Sequence, residues 1–242
     1  MTPPLDLLAI GAHPDDVELF AGGTIARLAR AGRRVVVLSL TRGEAATRGS
    51  VEIRAAEAAE ADRILGVAER VTLDLGDSRF ENDRNARAAV ARELRRLRPA
   101  VVMTHDREER HPDHGRARDL VRDACFYANV GAYPVEGERH EVAALVHFLG
   151  HESATPRRPD WIVDVTAAHE TKMRAVRAYA TQFLGAEADA ERERTLISRP
   201  EFLKVVEARS RLWGAAIGVE FGEAFRFHQA AHADHAFVRM LQ

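Results

Sequence analysis

The chain reads as an α/β protein of Rossmann-like, three-layer architecture with a mainly parallel sheet. Three observations predict it. Short apolar runs alternate with segments of helical period through the first half of the 242 residues, the rhythm of β-α-β units. Those runs are mostly continuously apolar rather than alternating, as strands buried on both faces are. Each run also ends in polar residues, which collects chemistry at the carboxyl edge of the sheet, where open α/β sheets bind ligands.

Residues 5–10 form the first expected strand; Val17, Phe20, Ala21, Thr24, Ile25 and Leu28 then recur at helical spacing up to a stop at Ala31-Gly32. A second strand covers 34–40 and opens into the turn Thr41, Arg42, Gly43, Glu44, which reaches about residue 50. A helix over 52–65 stops at Gly66, and a short strand over 71–75 leads into the loop GDSRFEND. A helix over 86–97 ends before Pro99, and the fourth strand, 100–104, runs into HDREERHPDHGRARDLV, which opens a helix through Leu120 and Cys125. Past Asn129 the pattern predicts strands over 142–149 and 161–165 and helices over 167–182 and 202–217, with 187–194 as an exposed polar helix or loop. Neither an internal repeat nor a low-complexity linker interrupts the chain. A single domain over 1–242 is expected, its Rossmann-like part covering about 1–130.

Composition excludes several function classes. Hydrophobic residues at 46% and charged residues at 30% are ordinary for a globular protein. A net charge of -2 offers nothing to nucleic acid or to an anionic membrane. All basic residues but Lys172 and Lys204 are arginine, and they interleave with acids (Arg92, Glu93, Arg95, Arg96; Glu191, Arg192, Glu193, Arg194), as solvated ion-pair faces do. Cys125 is the lone cysteine, which excludes an internal disulfide or cysteine-rich zinc site and reads as a buried inert thiol. The start MTPPLDLL lacks the charge and length of a signal peptide, and no apolar run approaches the roughly 18 residues of a membrane span. A cytoplasmic protein is expected.

Two stretches carry chemistry. In LDLLAIGAHPDDVE one imidazole and two carboxylates, His13, Asp15 and Asp16, sit at the end of the first strand, where backbone rigidity suits metal geometry. HPDH, His111 to His114, follows the fourth strand in the same way. His13, Asp16 and His114 make a two-histidine, one-carboxylate set with room for water, as open catalytic zinc sites have; Fe2+ or Mn2+ is the alternative to Zn2+. Asp15, beside a ligand, is placed as general base toward water. A protonated His111 would stabilise an oxyanion, with Asp113 orienting its ring and keeping it cationic. Taken singly, Asp15 and Asp16 are also plausible helix caps and His111-Pro112 a turn. Two such motifs, each between strand and helix, favour a metal-dependent amide hydrolase. The first strand-helix turn lacks the G-x-G-x-x-G pattern, and its carboxylates would repel phosphate, which speaks against a metal-free nucleotide-binding module.

AHPDD, GGTIARLARAG, the LTRGE turn, the Arg54 helix ending in LG, and HPDH resemble the LmbE-like (PIG-L) family of zinc-dependent sugar N-deacetylases over most of the chain. IVDVT, YATQF and EARSRLWGAAIGVEFGEAF are similar to one branch, the bacillithiol-biosynthesis deacetylases, which remove acetate from N-acetylglucosaminyl-malate. The resemblance implies zinc on His13, Asp16 and His114, Asp15 as base, His111 with Asp113 as the electrostatic pair, and a homo-oligomer with contacts from the C-terminal half. It implies that Arg54, Glu44 and Asp77 face the sugar or its aglycone, Arg54 as a fork for a malate carboxylate. The residues themselves also allow an Arg54–Glu57 helix pair, a turn role for Glu44 and a cap role for Asp77. Many relatives carry a histidine shortly before a Ser-Gln pair; Tyr179 and Thr181-Gln182 stand there, and that region is given no catalytic role. The expected substrate is N-acetylglucosaminyl-malate, with another N-acetyl sugar or a sugar-thiol conjugate amide as the alternative. Asp15 or His111 protonates the leaving amine. His228, His232 and His235 have helical spacing but read as a terminal helix or tail; His105, at the fourth strand's end, receives no role, nor do His140, His147, His151 and His169.

Overall fold

The computed structural model describes residues 5–107, 109–150, 158–184, 195–229 and 235–242. Four strands and four helices alternate first: β1 (Leu7–Gly11), α1 (Asp16–Arg30), β2 (Val35–Ser39), α2 (Val51–Leu65), β3 (Glu69–Thr72), α3 (Arg84–Leu97), β4 (Val101–His105) and α4 (Pro112–Asn129). Then come β5 (Ala144–Phe148), β6 (Trp161–Asp164), α5 (His169–Ala178), α6 (Ala180–Phe183), α7 (Pro200–Ala216), β7 (Gly222–Phe227) and α8 (Ala236–Leu241). The sheet order is β3-β2-β1-β4-β5-β7-β6, parallel except where β7 pairs antiparallel with β5 and β6.

The apolar runs fold as expected because the central strands feed two cores. Leu7 and Ala9 pack into one layer with residues of α1, α2, α5, α7 and α8, while Leu8 and Ile10 face the other, with residues of α3 and α4. Local signals set the helix ends. Ser50 accepts from Ile53 N at the start of α2, and Gly66, left-handed at φ 79°, ends it. Asp83 caps α3 through Ala86 N at 2.8 Å.

Three expectations need correcting. The third strand begins at Glu69 rather than Val71, because it is an edge strand whose polar residues are paired: Glu69 with Arg96 at 2.8 Å and Arg70 with Asp62 at 2.7 Å. The helix over 167–182 is broken: Thr166–Ala168 is a 3-10 turn, and Tyr179 (φ -79°, ψ 61°) separates α5 from α6. A seventh strand, β7, lies between β5 and β6; its Glu223 disguises a buried strand because the charge is satisfied within the core. The sequence-expected run over 187–194, with Glu191 to Arg194, and His151 and His232 lie outside the described residues. Cys125 is half-buried on α4, and burial pushes its thiol up to about 12, consistent with an inert packing residue.

Glu223 shows how that satisfaction works. Its carboxylate accepts from Lys172 Nζ at 2.7 Å, Gly23 N at 2.9 Å, and Thr24 N and Oγ1 at 2.7 and 2.6 Å. Gly23 is required: a Cβ there would stand 2.8 Å from Val165 Cβ. The buried pair fastens β7, α5 and α1 together. Lys172→Ala should cost about 3–5 kcal/mol by leaving a buried carboxylate without its cation, whereas Lys172→Met with Glu223→Gln should cost less. Urea unfolding of the single and double variants measures both.

Candidate active site

Strands β1 and β4 are neighbours and parallel, and the chain leaves the sheet in opposite directions from them: to β2 and β3 on one side, to β5 on the other. Their carboxyl ends therefore flank the switch point of the sheet. The β1 end delivers Ala12 to Asp16, and the β4 end leads to His111 and the first turn of α4, so the two motifs meet although about a hundred residues apart. A cavity of about 240 Å³ lies between them, lined by His13, Asp15, Asp16, His111 and His114 among others.

The expected metal ligands converge. Asp16 Oδ1 lies 3.2 Å from His114 Nε2, and Asp16 Oδ2 lies 3.4 Å from His13 Nδ1. Each has a partner behind it. His13 Nε2 faces Asp77 Oδ1 at 3.2 Å and Asp113 Oδ2 at 3.3 Å, which fixes the hydrogen on Nε2 and leaves Nδ1 for a ligand. His114 Nδ1 faces Glu109 Oε2 at 3.9 Å, and neither atom has a hydrogen-bond partner. Asp16 Oδ2 accepts from His13 N at 2.7 Å and lies 3.1 Å from His105 Nε2.

The electrostatics fit a cation. Burial lowers His13 and His114, but the facing carboxylates outweigh it. His13 is held well above its ordinary value through Asp113, Asp16 and Asp77, and His114 is raised to about 9 through Asp16. Burial likewise pushes Asp16 up, yet His114 and His105 hold it well below the usual carboxylate range. The pocket thus stabilises positive charge on these two histidines, and a divalent ion would take the place of those protons. Two imidazoles and a carboxylate suit zinc, and suit iron or manganese too.

Asp15 is not a simple cap. It precedes α1 with φ 122° and ψ -26°, and its side chain makes no capping bond. A non-glycine residue in that region carries backbone strain, which collects at functional sites. Its Oδ2 accepts from Arg54 Nη2 at 2.6 Å. Burial raises this carboxyl most, Arg54 pulls it back, and it stands at about 7.

The structure redistributes the remaining roles. Arg54 is buried, with Nε and Nη2 on Pro14 O as well as on Asp15; its expected helix partner Glu57 instead accepts from Thr181 N and Oγ1. Arg54 and Asp77 line the cavity, whereas Glu44 does not: Glu44 accepts from Asp77 N at 2.8 Å and holds that loop. The Asp113 carboxylate does not orient His111. It binds His13, Ser78 N at 2.9 Å and Arg116 at 2.8 Å, and those contacts bring it to about 2 against the upward push of burial. His111 caps α4, its Nδ1 accepting from Asp113 N at 3.2 Å. Burial and then His13 and His114 lower its pKa, so the expectation of a cationic His111 is corrected to a neutral ring with its hydrogen on Nε2.

Sequence reasoning placed His105 at a strand end within reach of the pocket but gave it no role, and did not name Glu109 or Ser78, which had no signal. Tyr179 and Gln182 stay structural: Tyr179 donates to Glu18 at 3.0 Å and Gln182 Nε2 to Arg48 O at 2.9 Å, though Gln182 also lines the cavity. His228 follows β7 and His235 precedes α8, so these two do not share a helix. Among the described residues three groups could hold a metal, all around this cavity: His13 with His111 and His114, Asp16 with His105 and His114, and His13 with Asp77 and Asp113; the expected His13, Asp16 and His114 meet pairwise at Asp16 rather than as one of these groups.

Residues 8–125 match the family model described as PIG-L, GlcNAc-PI de-N-acetylase. A diacetylchitobiose deacetylase of Thermococcus kodakarensis is 32% identical over 192 residues, covering 73% of this chain and 70% of its own. A 1D-myo-inositol 2-acetamido-2-deoxy-alpha-D-glucopyranoside deacetylase of Nakamurella multipartita is 31% identical over 238 residues, covering 74% and 80%. Among solved structures, a conserved protein of Thermus thermophilus superposes with a TM-score of 0.85 at 36% identity, covering 94% of this chain and 96% of its own.

Zinc should raise the melting temperature of chelator-treated protein, since a ligand at a hundred times its Kd stabilises by about 2.7 kcal/mol. Asp16→Asn should remove that shift. An equal shift in the variant would place the ion elsewhere.

Proposed function

The chain belongs to the PIG-L (LmbE-like) family of deacetylases, and on that premise we propose that it hydrolyses the acetamide of an N-acetylglucosaminyl substrate with a divalent ion, zinc first, on His13, Asp16 and His114. One observation carries this reading: a strained, buried Asp15 beside two imidazoles and a carboxylate that converge on one cavity.

When bound by His13, Asp16 and His114, a divalent ion would supply Lewis acidity toward the acetyl carbonyl and toward water. Asp15 accepts the proton of the attacking water, and a carboxylate near 7 is matched to that work around neutral pH. Arg54 fixes the direction of that carboxylate and keeps part of its population ionised. His111 donates from Nε2 to the oxyanion as a neutral hydrogen-bond donor. The new carboxylic acid on Asp15 then protonates the departing amine, because a neutral His111 N–H can hydrogen-bond but cannot give up its proton without becoming an imidazolate.

Both curated relatives are named for acetamido sugars, which supports the sugar. For the aglycone we favour malate, on the resemblance of IVDVT, YATQF and EARSRLWGAAIGVEFGEAF to the bacillithiol branch. Arg54, expected as the fork for a malate carboxylate, is bonded to Asp15 and to Pro14 O. A homo-oligomer is supported by Val205, Leu212 and Ile217, apolar and 44–54% exposed along and just beyond α7.

Acetate release from N-acetylglucosaminyl-malate should exceed that from N-acetylglucosamine and from diacetylchitobiose; a preference for either of those moves the assignment to another acetamido sugar. Asp15→Asn should lower kcat by about two orders of magnitude or more, as loss of a general base does. Arg54→Met removes the cation that lowers the Asp15 pKa, so the acid limb of kcat/KM should move to higher pH. An unmoved limb would show that another group titrates there.

A further inference from the structure

His105 is fully buried at the site and has no part in the chemistry above. It ends β4, and its ring is clamped. His114 stacks on it with centroids 3.9 Å apart and planes at 17°, while Phe148 and Phe20 meet it edgewise at 4.7 and 5.7 Å. Such packing leaves the ring little freedom to turn. Its Nε2 lies 3.1 Å from Asp16 Oδ2 and also 3.1 Å from Ala12 N, and its Nδ1 has no partner.

The position of the single ring hydrogen follows from these contacts. On Nδ1 it would be a buried donor without an acceptor, and the Nε2 lone pair would point at the Asp16 carboxylate. On Nε2 it makes a charge-assisted bond to that carboxylate, and the unpaired donor is then Ala12 N–H. The first lets Nε2 accept from Ala12 N–H but sets its lone pair against an anion and leaves Nδ1–H unpaired; the second sets Ala12 N–H against a donor but gains a bond to a carboxylate, about twice as strong as a neutral one. The hydrogen therefore belongs on Nε2.

Asp16 Oδ2 is thus held from two sides, by His13 N at 2.7 Å and by His105, while Oδ1 is turned to His114 Nε2 at 3.2 Å. We propose that His105 is a positioning residue that grips Oδ2 of Asp16, the oxygen also 3.4 Å from His13 Nδ1, and so fixes the carboxylate with Oδ1 presented to an ion beside His114 Nε2. This is the usual second-shell arrangement reversed: a histidine orients a ligating carboxylate instead of a carboxylate orienting a ligating histidine. The inference rests on the reading of Asp16 as a metal ligand.

Zinc affinity of the full chain, measured by competition with a chromophoric chelator, tests it apart from activity. His105→Phe keeps a buried ring on His114 but removes the donor, and should weaken zinc binding about 10–100-fold with unchanged apo circular dichroism. His105→Gln restores an N–H near the Nε2 position and should recover to within a few-fold of wild type; an amide is a poor zinc ligand, so recovery also rules out direct ligation by His105. His105→Asn carries the same amide one methylene short and should stay weak. Wild-type affinity in the Phe variant overturns the proposal, as does equal affinity of the Gln and Asn variants, a comparison that decides the matter even if the Phe variant does not fold. Asp16→Asn separates the two levels: if it binds zinc like wild type, the ligand assignment fails, not the positioning argument alone.

Discussion

The Asp16 carboxylate is the constraint on which the site depends. It begins α1, accepts a hydrogen bond from the backbone of its own turn, and faces two imidazoles carried by β4 and α4. A buried carboxylate is costly without donors and positive charge around it. The chain supplies both from elements far apart in sequence, so the meeting of β1 with β4 is also what makes the charge tolerable. Gly11 belongs to the same constraint, because a Cβ there would lie 2.9 Å from Asp16 Cβ.

Around this point the acids are arranged by depth and partner. Asp16 is ionised against histidines, Asp113 against His13 and Arg116, and Asp15 stands near neutrality between burial and Arg54. Similar side chains thus acquire different protonation states from their surroundings, as a site needing both a ligand and a base requires. Two residues further along α1 than Asp16, Glu18 is held by Arg70 and by Tyr179 Oη, and Arg70 also binds Asp62. This second buried network joins α1 to β3, α2 and the break between α5 and α6. It accounts for Tyr179 interrupting a helix that the residue pattern would have continued.

Much of the site was legible from residue order alone. His-Pro-Asp-Asp after one apolar run and His-Pro-Asp-His after another place donors at strand ends, and the parallel sheet brings those ends together. Pairings were less legible. Asp113 follows His111 closely in the chain, which suggested a shared hydrogen bond, but the first turn of a helix points successive side chains in different directions and the carboxylate turns to His13. Arg54 looked solvent-facing or substrate-facing, yet the loop at Gly43 leaves room for it to reach Pro14 and Asp15. β7 was hidden because a charged residue in an interior strand reads as a loop until Lys172 is placed against it.

The sequence by itself determined the α/β class, the strand-end motifs with their histidines and carboxylates, and the lone cysteine that excludes an internal disulfide, because periodicity and residue chemistry are local properties. Only the tertiary structure decided which carboxylate answers which imidazole, that His111 is a neutral donor, that Arg54 serves Asp15, and that His105 reaches Asp16. Those outcomes depend on distances of about 3 Å between residues as many as 100 positions apart, and on burial that shifts each protonation equilibrium. Neither is encoded in spacing along the chain.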